Sequence, residues 1–223
     1  MTAKDQSSEP IHAGARYYGA VTLPLYDAAV LNIAVPYGWG VPLEAGRAMY
    51  RRLVGARHLD IGVATGYFLR KALAEREAAQ VTLMDLNENA TRYAAEKLKR
   101  FDVTQAVGDA LEPFPVAGPF DSIAMFHLLH CMPGTVAEKA AAFDHAIAVL
   151  AEGGVCFGAS VTPAGQRLNP FGKLVLSGSN RTGALNNAGD THDALRAEIE
   201  ARFHDTTIEL RGVMTLWEAR NPK

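Results

Sequence analysis

The stretch His58-Leu59-Asp60-Ile61-Gly62-Val63-Ala64-Thr65-Gly66-Tyr67-Phe68-Leu69, followed by Val81-Thr82-Leu83-Met84-Asp85-Leu86-Asn87, decides the fold. Each half opens as a short apolar strand that ends on an acid. After Asp60 comes a run of small residues and then a helix start. Small residues in such a loop let a ligand lie almost on the backbone, where a Cβ would collide with it. The second acid, Asp85, stands where a doubly wound sheet holds a ribose between neighbouring strand tips.

Working outward, strand and helix alternate through five repeats. A helix is expected over about 66–76, a strand over 80–86, a helix over 88–100 and a strand over 102–107. In the second helix Ala90, Ala94, Leu98 and Phe101 recur at the spacing of one buried face. Phe120 to Phe126 reads as the fourth strand. Thr135 to Leu150 reads as one helix, terminated by Gly153-Gly154 before a strand from Val155 to Val161. Such alternation implies parallel strands joined by right-handed crossovers, with helices on both faces. Pro163 to Asp190, rich in Gly, Asn and Ser, reads as a long functional loop. A helix over 191–203 and two β-like segments, 206–211 and 213–220, complete the chain.

Composition bounds the function. The 223 residues are 48% hydrophobic and 21% charged, as in one ordinary folded domain. A formal net charge of −2 leaves no broad basic field for a nucleic acid backbone. The polar start, Met1 to Pro10, lacks the apolar segment of a secretory signal, and the longest apolar stretches are too short to span a bilayer. Cys131 and Cys156 stand far apart, without a C-x-x-C pair, which points to a reducing cytoplasm.

Two readings of the glycine-rich loop compete. A nicotinamide dinucleotide site wants G-x-G-x-x-G, yet the third glycine counted from Gly62 is Tyr67. Asp60 would repel a pyrophosphate but suits a ligand that carries an ammonium and a sulfonium. On these residues the chain resembles the class I S-adenosylmethionine-dependent methyltransferases, whose first motif is an acid followed by a Gly-x-Gly-x-Gly loop; it departs at Ala64, the middle glycine. The resemblance covers about residues 55 to 220, because Met84-Asp85-Leu86-Asn87, Gly108-Asp109-Ala110, Phe120 to Met132 and Ala151-Glu152-Gly153-Gly154-Val155 occur in family order. His58 to Leu69 and His127 to Pro133 also look like a subgroup of small bacterial and fungal methyltransferases that act on small molecules.

That resemblance implies an α/β, Rossmann-like, doubly wound sheet of seven strands, mostly parallel with an antiparallel last strand, in the order 3-2-1-4-5-7-6. Residues 1–50 would form a helical cover or lid on the methyltransferase domain 51–223, and the segment at about 163–190 would shape the acceptor side. Asp60, Gly62, Ala64, Thr65 and Gly66 would surround the amino-acid end of S-adenosylmethionine. Asp85 would accept from the ribose hydroxyls, Leu86 and Asn87 would flank the adenine, and Asp109 and Ala110 would meet its edge. Phe126, His127 and Leu128 follow the fourth strand, where the methyl group is presented. His127 and His130 are the candidate bases. Tyr18, Tyr26 and Trp39 are either core cover or a lid over the sulfonium.

No third ligand is spaced convincingly beside the two histidines, so no metal is expected. The partner is a small-molecule acceptor whose nucleophile, O, N, S or C, stays open, with S-adenosylhomocysteine as product. Neither nucleic acid nor membrane is expected, and the protein is read as a monomer or homodimer. The rival from another class is a non-catalytic protein that senses the cofactor or holds a partner through the same site.

Overall fold

A computed structural model of the chain describes the backbone from Asp27 and side chains from Leu31, through Lys223. A π-helical segment, Asp27–Gly38, leads into α1, Leu43–Leu53. In α1 the buried residues Gly46, Met49, Tyr50 and Leu53 fall on one face, as an amphipathic helix over a sheet requires.

The sheet has seven strands: β1 Arg57–Ile61, β2 Gln80–Asp85, β3 Asp102–Val107, β4 Phe120–Phe126, β5 Leu150–Val161, β6 Phe203–Arg211 and β7 Met214–Pro222. Their order is β3-β2-β1-β4-β5-β7-β6. β1 pairs in parallel with β2 and β4, β2 with β3, and β4 with β5, whereas β7 runs antiparallel between β5 and β6. This is the expected doubly wound order with its late antiparallel insertion.

Because successive strand side chains point to opposite faces, each central strand feeds two cores. Val81, Leu83, Ala124, Phe126, Val155 and Phe157 pack with α1, α2 (Tyr67–Ala72) and α3 (Glu88–Leu98). Leu59, Ile61, Met84, Ile123, Met125, Cys156 and Trp217 pack on the other side. There they meet Ala142, Phe143 and Ala146, then Leu195 and Ile199, from the helices below. Ala90, Ala94 and Leu98 of α3 are buried, as their spacing predicts.

Three expectations need correction. The helix read over 135–150 is two segments, α4 Val136–Lys139 and α5 Ala141–Val149, meeting at Ala140. Thr135 and Glu138 close a capping box on the first of them. Gly153-Gly154 does not end that helix: Leu150 is already extended, and the pair lies within β5. The register jumps there from Phe120↔Leu150 to Ser122↔Val155, so the glycines serve an excursion of the strand. The segment 163–190 is not one long loop. It contains α6, Pro170–Arg181, started by Pro170 in its first turn and by the Asn169 side chain, which accepts from the Gly172 amide at 2.7 Å. The last helix, α7, is His192–Arg202.

Candidate active site

The tips of β1, β2 and β4 converge on the loop 62–66. Gly62, Ala64 and Gly66 have φ of 70°, 46° and 64°, so the chain turns through the left-handed region three times in five residues. The Gly62 amide donates to the Met84 carbonyl at 2.8 Å and the Gly66 amide to that of Val63 at 2.8 Å. A Cβ on Gly62 would lie 2.8 Å from the Leu128 side chain, and one on Gly66 would lie 3.2 Å from Ala94. Ala64 takes the same hand as its glycine neighbours, so its methyl group leaves the loop's course intact. Thr65 is buried beneath it.

This loop, with Leu31, Tyr50, Asp60, Tyr67, Phe68, Phe126 and His127, lines one cavity. Asp60 is 3% exposed. Its two oxygens share a single Tyr50 hydroxyl, 3.3 Å from each, a long and divided contact for a carboxylate. Burial, and then the Asp60 charge, push the Tyr50 phenol well above its ordinary pKa, so Tyr50 stays a donor. Asp85 accepts from the Ala64 amide at 3.2 Å and the Asn87 amide at 2.9 Å. Its pKa is raised by burial, against those two amides. Asp60 thus borders the cavity as a buried carboxylate with one divided donor, while Asp85 is tied to the cavity's loop through the Ala64 amide; this pair of acids fits a cofactor that brings an ammonium and ribose hydroxyls with it.

The remaining expected contacts divide. Asn87 uses its side-chain oxygen to cap α3, accepting from Asn89 at 2.9 Å, and Leu86 is partly exposed beside it. Asp109 accepts from the Leu111 amide at 2.9 Å, a turn bond after β3, while Ala110 is buried. Phe126 lies in an aromatic cluster, 4.8 Å from Phe68 and 5.3 Å from Tyr50 between ring centroids. Leu128 forms the wall opposite Gly62.

The two histidines differ. His127 has φ 62° and its amide donates to the Ala159 carbonyl at 2.9 Å. Its ring stacks on Phe68, and its Nε2 is buried without a hydrogen-bond partner among the described residues. Burial lowers its pKa to about 4. In His130, Nδ1 accepts from the Val161 amide at 3.1 Å, so that nitrogen has no lone pair left for a substrate. Burial holds the His130 pKa well below its ordinary value. Cys131 donates to the His127 carbonyl at 3.6 Å, and burial raises its thiol to about 12, consistent with a packed thiol.

Trp39 does not line the cavity. It is 5% exposed in the core, and its carbonyl accepts from Val213 at the β6–β7 turn. Tyr18 and Tyr26 lie outside the described residues. The N-terminal side contributes Leu31 and Tyr50 instead, and no spacing rule links Tyr50 to Asp60. Tyr67 and Arg47 are also new: their hydroxyl–guanidinium contact places a cation beside the loop. Tyr93 and Lys97 stand at the Tyr-x-x-x-Lys spacing of some oxidoreductases, but they pair with each other, 5.3 Å from ammonium to ring, and neither lines the cavity. Among the described residues no three His, Cys, Asp or Glu side chains gather as a metal site.

Residues 59–156 match the family model described as a methyltransferase domain. The chain is 37% identical over 198 residues to demethylluteothin O-methyltransferase of Streptomyces thioluteus, covering 88% of this chain and 86% of that one. It is 36% identical over 227 residues to methyltransferase verB of Penicillium polonicum, covering 95% and 100%. The crystal structure of N-methyltransferase NodS from Bradyrhizobium japonicum WM9, in complex with S-adenosyl-l-homocysteine, shares the fold with a TM-score of 0.59 at 16% identity, covering 96% of this chain and 100% of that one. With this loop, this strand order and these relatives, the chain belongs to the class I S-adenosylmethionine-dependent methyltransferases.

Proposed function

We propose that the protein transfers a methyl group to an oxygen of a small-molecule acceptor, with His127 as the group that receives the acceptor's proton. The observation that carries this reading is the unpartnered Nε2 of His127 in the wall of the same cavity as Asp60 and the loop 62–66. The O-methyltransferase names of several relatives support oxygen as the nucleophile.

Bound S-adenosylmethionine supplies an already activated methyl on a sulfonium, so the protein's task is mainly positioning, worth about 7–11 kcal/mol in favourable cases. Asp60 receives the ammonium, Asp85 the ribose hydroxyls, and the loop 62–66 admits the amino-acid tail close to its backbone. The aromatic cluster Tyr50, Phe68 and Phe126 excludes water from the reacting end. His127 is a weak base with its pKa near 4. A weak base suffices because a hydroxyl becomes acidic as its oxygen is alkylated; Nε2 accepts the hydrogen bond first and the proton as the bond forms. Such base assistance contributes roughly two to four decades of rate. His130, anchored to Val161, holds the turn that carries His127.

Of the cover expected over 1–50, the described part brings Leu31 and Tyr50 to this site, residues 1–26 lying outside the described residues, and the segment 163–190 serves as the acceptor wall. The segment is fastened to the turn by the Asn186 amide, which donates to the His130 carbonyl at 2.8 Å, and to the end of β5 by the Asn187 side-chain amide, which donates to the Val161 carbonyl at 2.9 Å. Among the described residues no helix is long and apolar enough to cross a membrane. Both cysteines are free, in keeping with a reducing cytoplasm.

The test is a titration with S-adenosylhomocysteine, for wild type and Asp85→Ala, followed by mass-spectrometric detection of methyl transfer across a panel of phenols, enols, carboxylic acids and amines. Micromolar binding lost in Asp85→Ala, with turnover of a hydroxyl acceptor that falls about a hundredfold in His127→Phe, is the expected result. Binding without turnover across the panel would favour a sensor, and turnover of amines alone would overturn the oxygen assignment.

A further inference from the structure

Behind Asp60 lies a buried chain of polar groups that the reaction itself does not use. The Gly55 amide donates to Ser122 Oγ at 2.7 Å, and the same oxygen lies 2.8 Å from His58 Nδ1. His58 and Ser122 are both fully buried and face one another across the β1–β4 pairing. On the far side of the ring, His58 Nε2 has no hydrogen-bond partner among the described residues and lies 3.9 Å from Asp60 Oδ2. The ring is held in place by Phe157, stacked at 6.1 Å, and by the edge of Tyr50 at 6.2 Å.

Two arguments place the ring proton. Ser122 Oγ already accepts the Gly55 N–H; if it also accepted from His58, its own hydroxyl hydrogen would be left without an acceptor among the described residues, in a fully buried position. The serine therefore donates to Nδ1, and Nε2 carries the hydrogen. Independently, a bare Nε2 lone pair would face a carboxylate, which is repulsive, whereas Nε2–H facing it is attractive.

We propose that His58 is a positioning residue for cofactor binding: fixed by Ser122, it directs Nε2–H at Asp60 and keeps that carboxylate turned toward the cavity for an ammonium. The proposal rests on the reading of Asp60 as the ammonium's acceptor. Asp60 needs such backing because, among the described residues, its one side-chain hydrogen-bond donor is the Tyr50 hydroxyl, shared between both oxygens. A carboxylate fixed by the Tyr50 hydroxyl and by the attraction of Nε2–H at 3.9 Å is already oriented when it meets a cation at its front.

The discriminating probe is 5′-methylthioadenosine, which keeps the nucleoside and thioether of S-adenosylhomocysteine but lacks the amino-acid tail. Both ligands are titrated calorimetrically into wild type, Asp60→Asn, His58→Leu, His58→Gln and Ser122→Ala. The expectation is that His58→Leu weakens S-adenosylhomocysteine about tenfold, while methylthioadenosine changes less than twofold, because only the former carries the ammonium. His58→Gln, whose amide nitrogen reaches toward the Nε2 position, restores most of the loss. Should His58→Leu not fold, Ser122→Ala reports the same selective loss, smaller in size. Equal weakening of both ligands, or no weakening of S-adenosylhomocysteine, overturns the role of His58. An Asp60→Asn protein that binds S-adenosylhomocysteine as wild type does would instead overturn the reading of Asp60.

Discussion

Replacing Ala64 by glycine tests whether the loop's left-handed course is a cost that the protein carries. Ala64 holds φ 46° and its amide donates to Asp85 at 3.2 Å, so the conformation is tied to the site. For an L-residue with a Cβ, the left-handed region costs roughly 1–2 kcal/mol, which glycine would not incur. Against this, glycine makes the unfolded chain freer, at a cost of about 0.4–1 kcal/mol. The methyl is partly exposed and belongs to neither hydrophobic core, so its removal opens no internal cavity. The balance is a stabilisation of roughly 0.7 kcal/mol, or about 2 °C in Tm for a chain of this length. Gly66→Ala, in the same backbone region, should move the other way. It gains the strain and brings a methyl 3.2 Å from Ala94, so its Tm should fall by about 5 °C. Differential scanning calorimetry without ligand reads both variants. A drop of more than about 2 °C in Ala64→Gly would refute the reasoning, because it would mean that the methyl supports the loop rather than straining it.

Two further outcomes follow from buried charge. Lys139 is 2% exposed, and its ammonium lies 2.7 Å from Asp190 and 2.6 Å from the Asn186 carbonyl, so Lys139→Met strands a buried acid and should cost about 3–5 kcal/mol. Urea unfolding should show most of that recovered in Lys139→Met combined with Asp190→Leu; a double variant as weak as the single one would sink this account. Acid should also destabilise the protein early. His127 and His130 bind protons more weakly folded than unfolded, so their contribution is complete above about pH 6.5 and is lost as pH falls toward 4, where His127 titrates. Two protons at 1.36 kcal/mol per pH unit, discounted for the partial exposure of His127, give a slope of about 2 kcal/mol per unit between pH 6 and 5. Asp85, raised by burial, opposes this only below its own raised value. A urea midpoint flat from pH 7 to 5 would contradict the burial of both rings.

The parts of this molecule that could be read in the sequence are those fixed by local steric or periodic constraints. The loop 62–66 announces itself because backbone that must meet a ligand excludes side chains, and the strand limits of β3 and β4 follow from apolar runs broken by turn residues. Local signals also misled. Gly153-Gly154 reads as a helix stop, yet the same backbone freedom serves an excursion in β5, and only the pairing with β4 distinguishes the two. Asn169-Pro170 carries the signal of a helix start inside a segment whose Gly, Asn and Ser content reads as loop. The site divides along the same line. His127 and His130 lie three residues apart and are equivalent in the sequence as bases; what separates them is the Val161 amide on β5, which occupies one ring and leaves the other open. Tyr50 and His58 were likewise invisible as site residues, because each acquires its role through a contact made only when the sheet closes: Tyr50 by the packing of α1 on β1, and His58 by its register with Ser122. Residue type and spacing therefore locate the loop 62–66, whereas the surroundings and freedom of each acid or base beside it are set by long-range pairing. A change in β4 or β5, far from the loop in sequence, should alter the chemistry of the site as directly as a change within the loop.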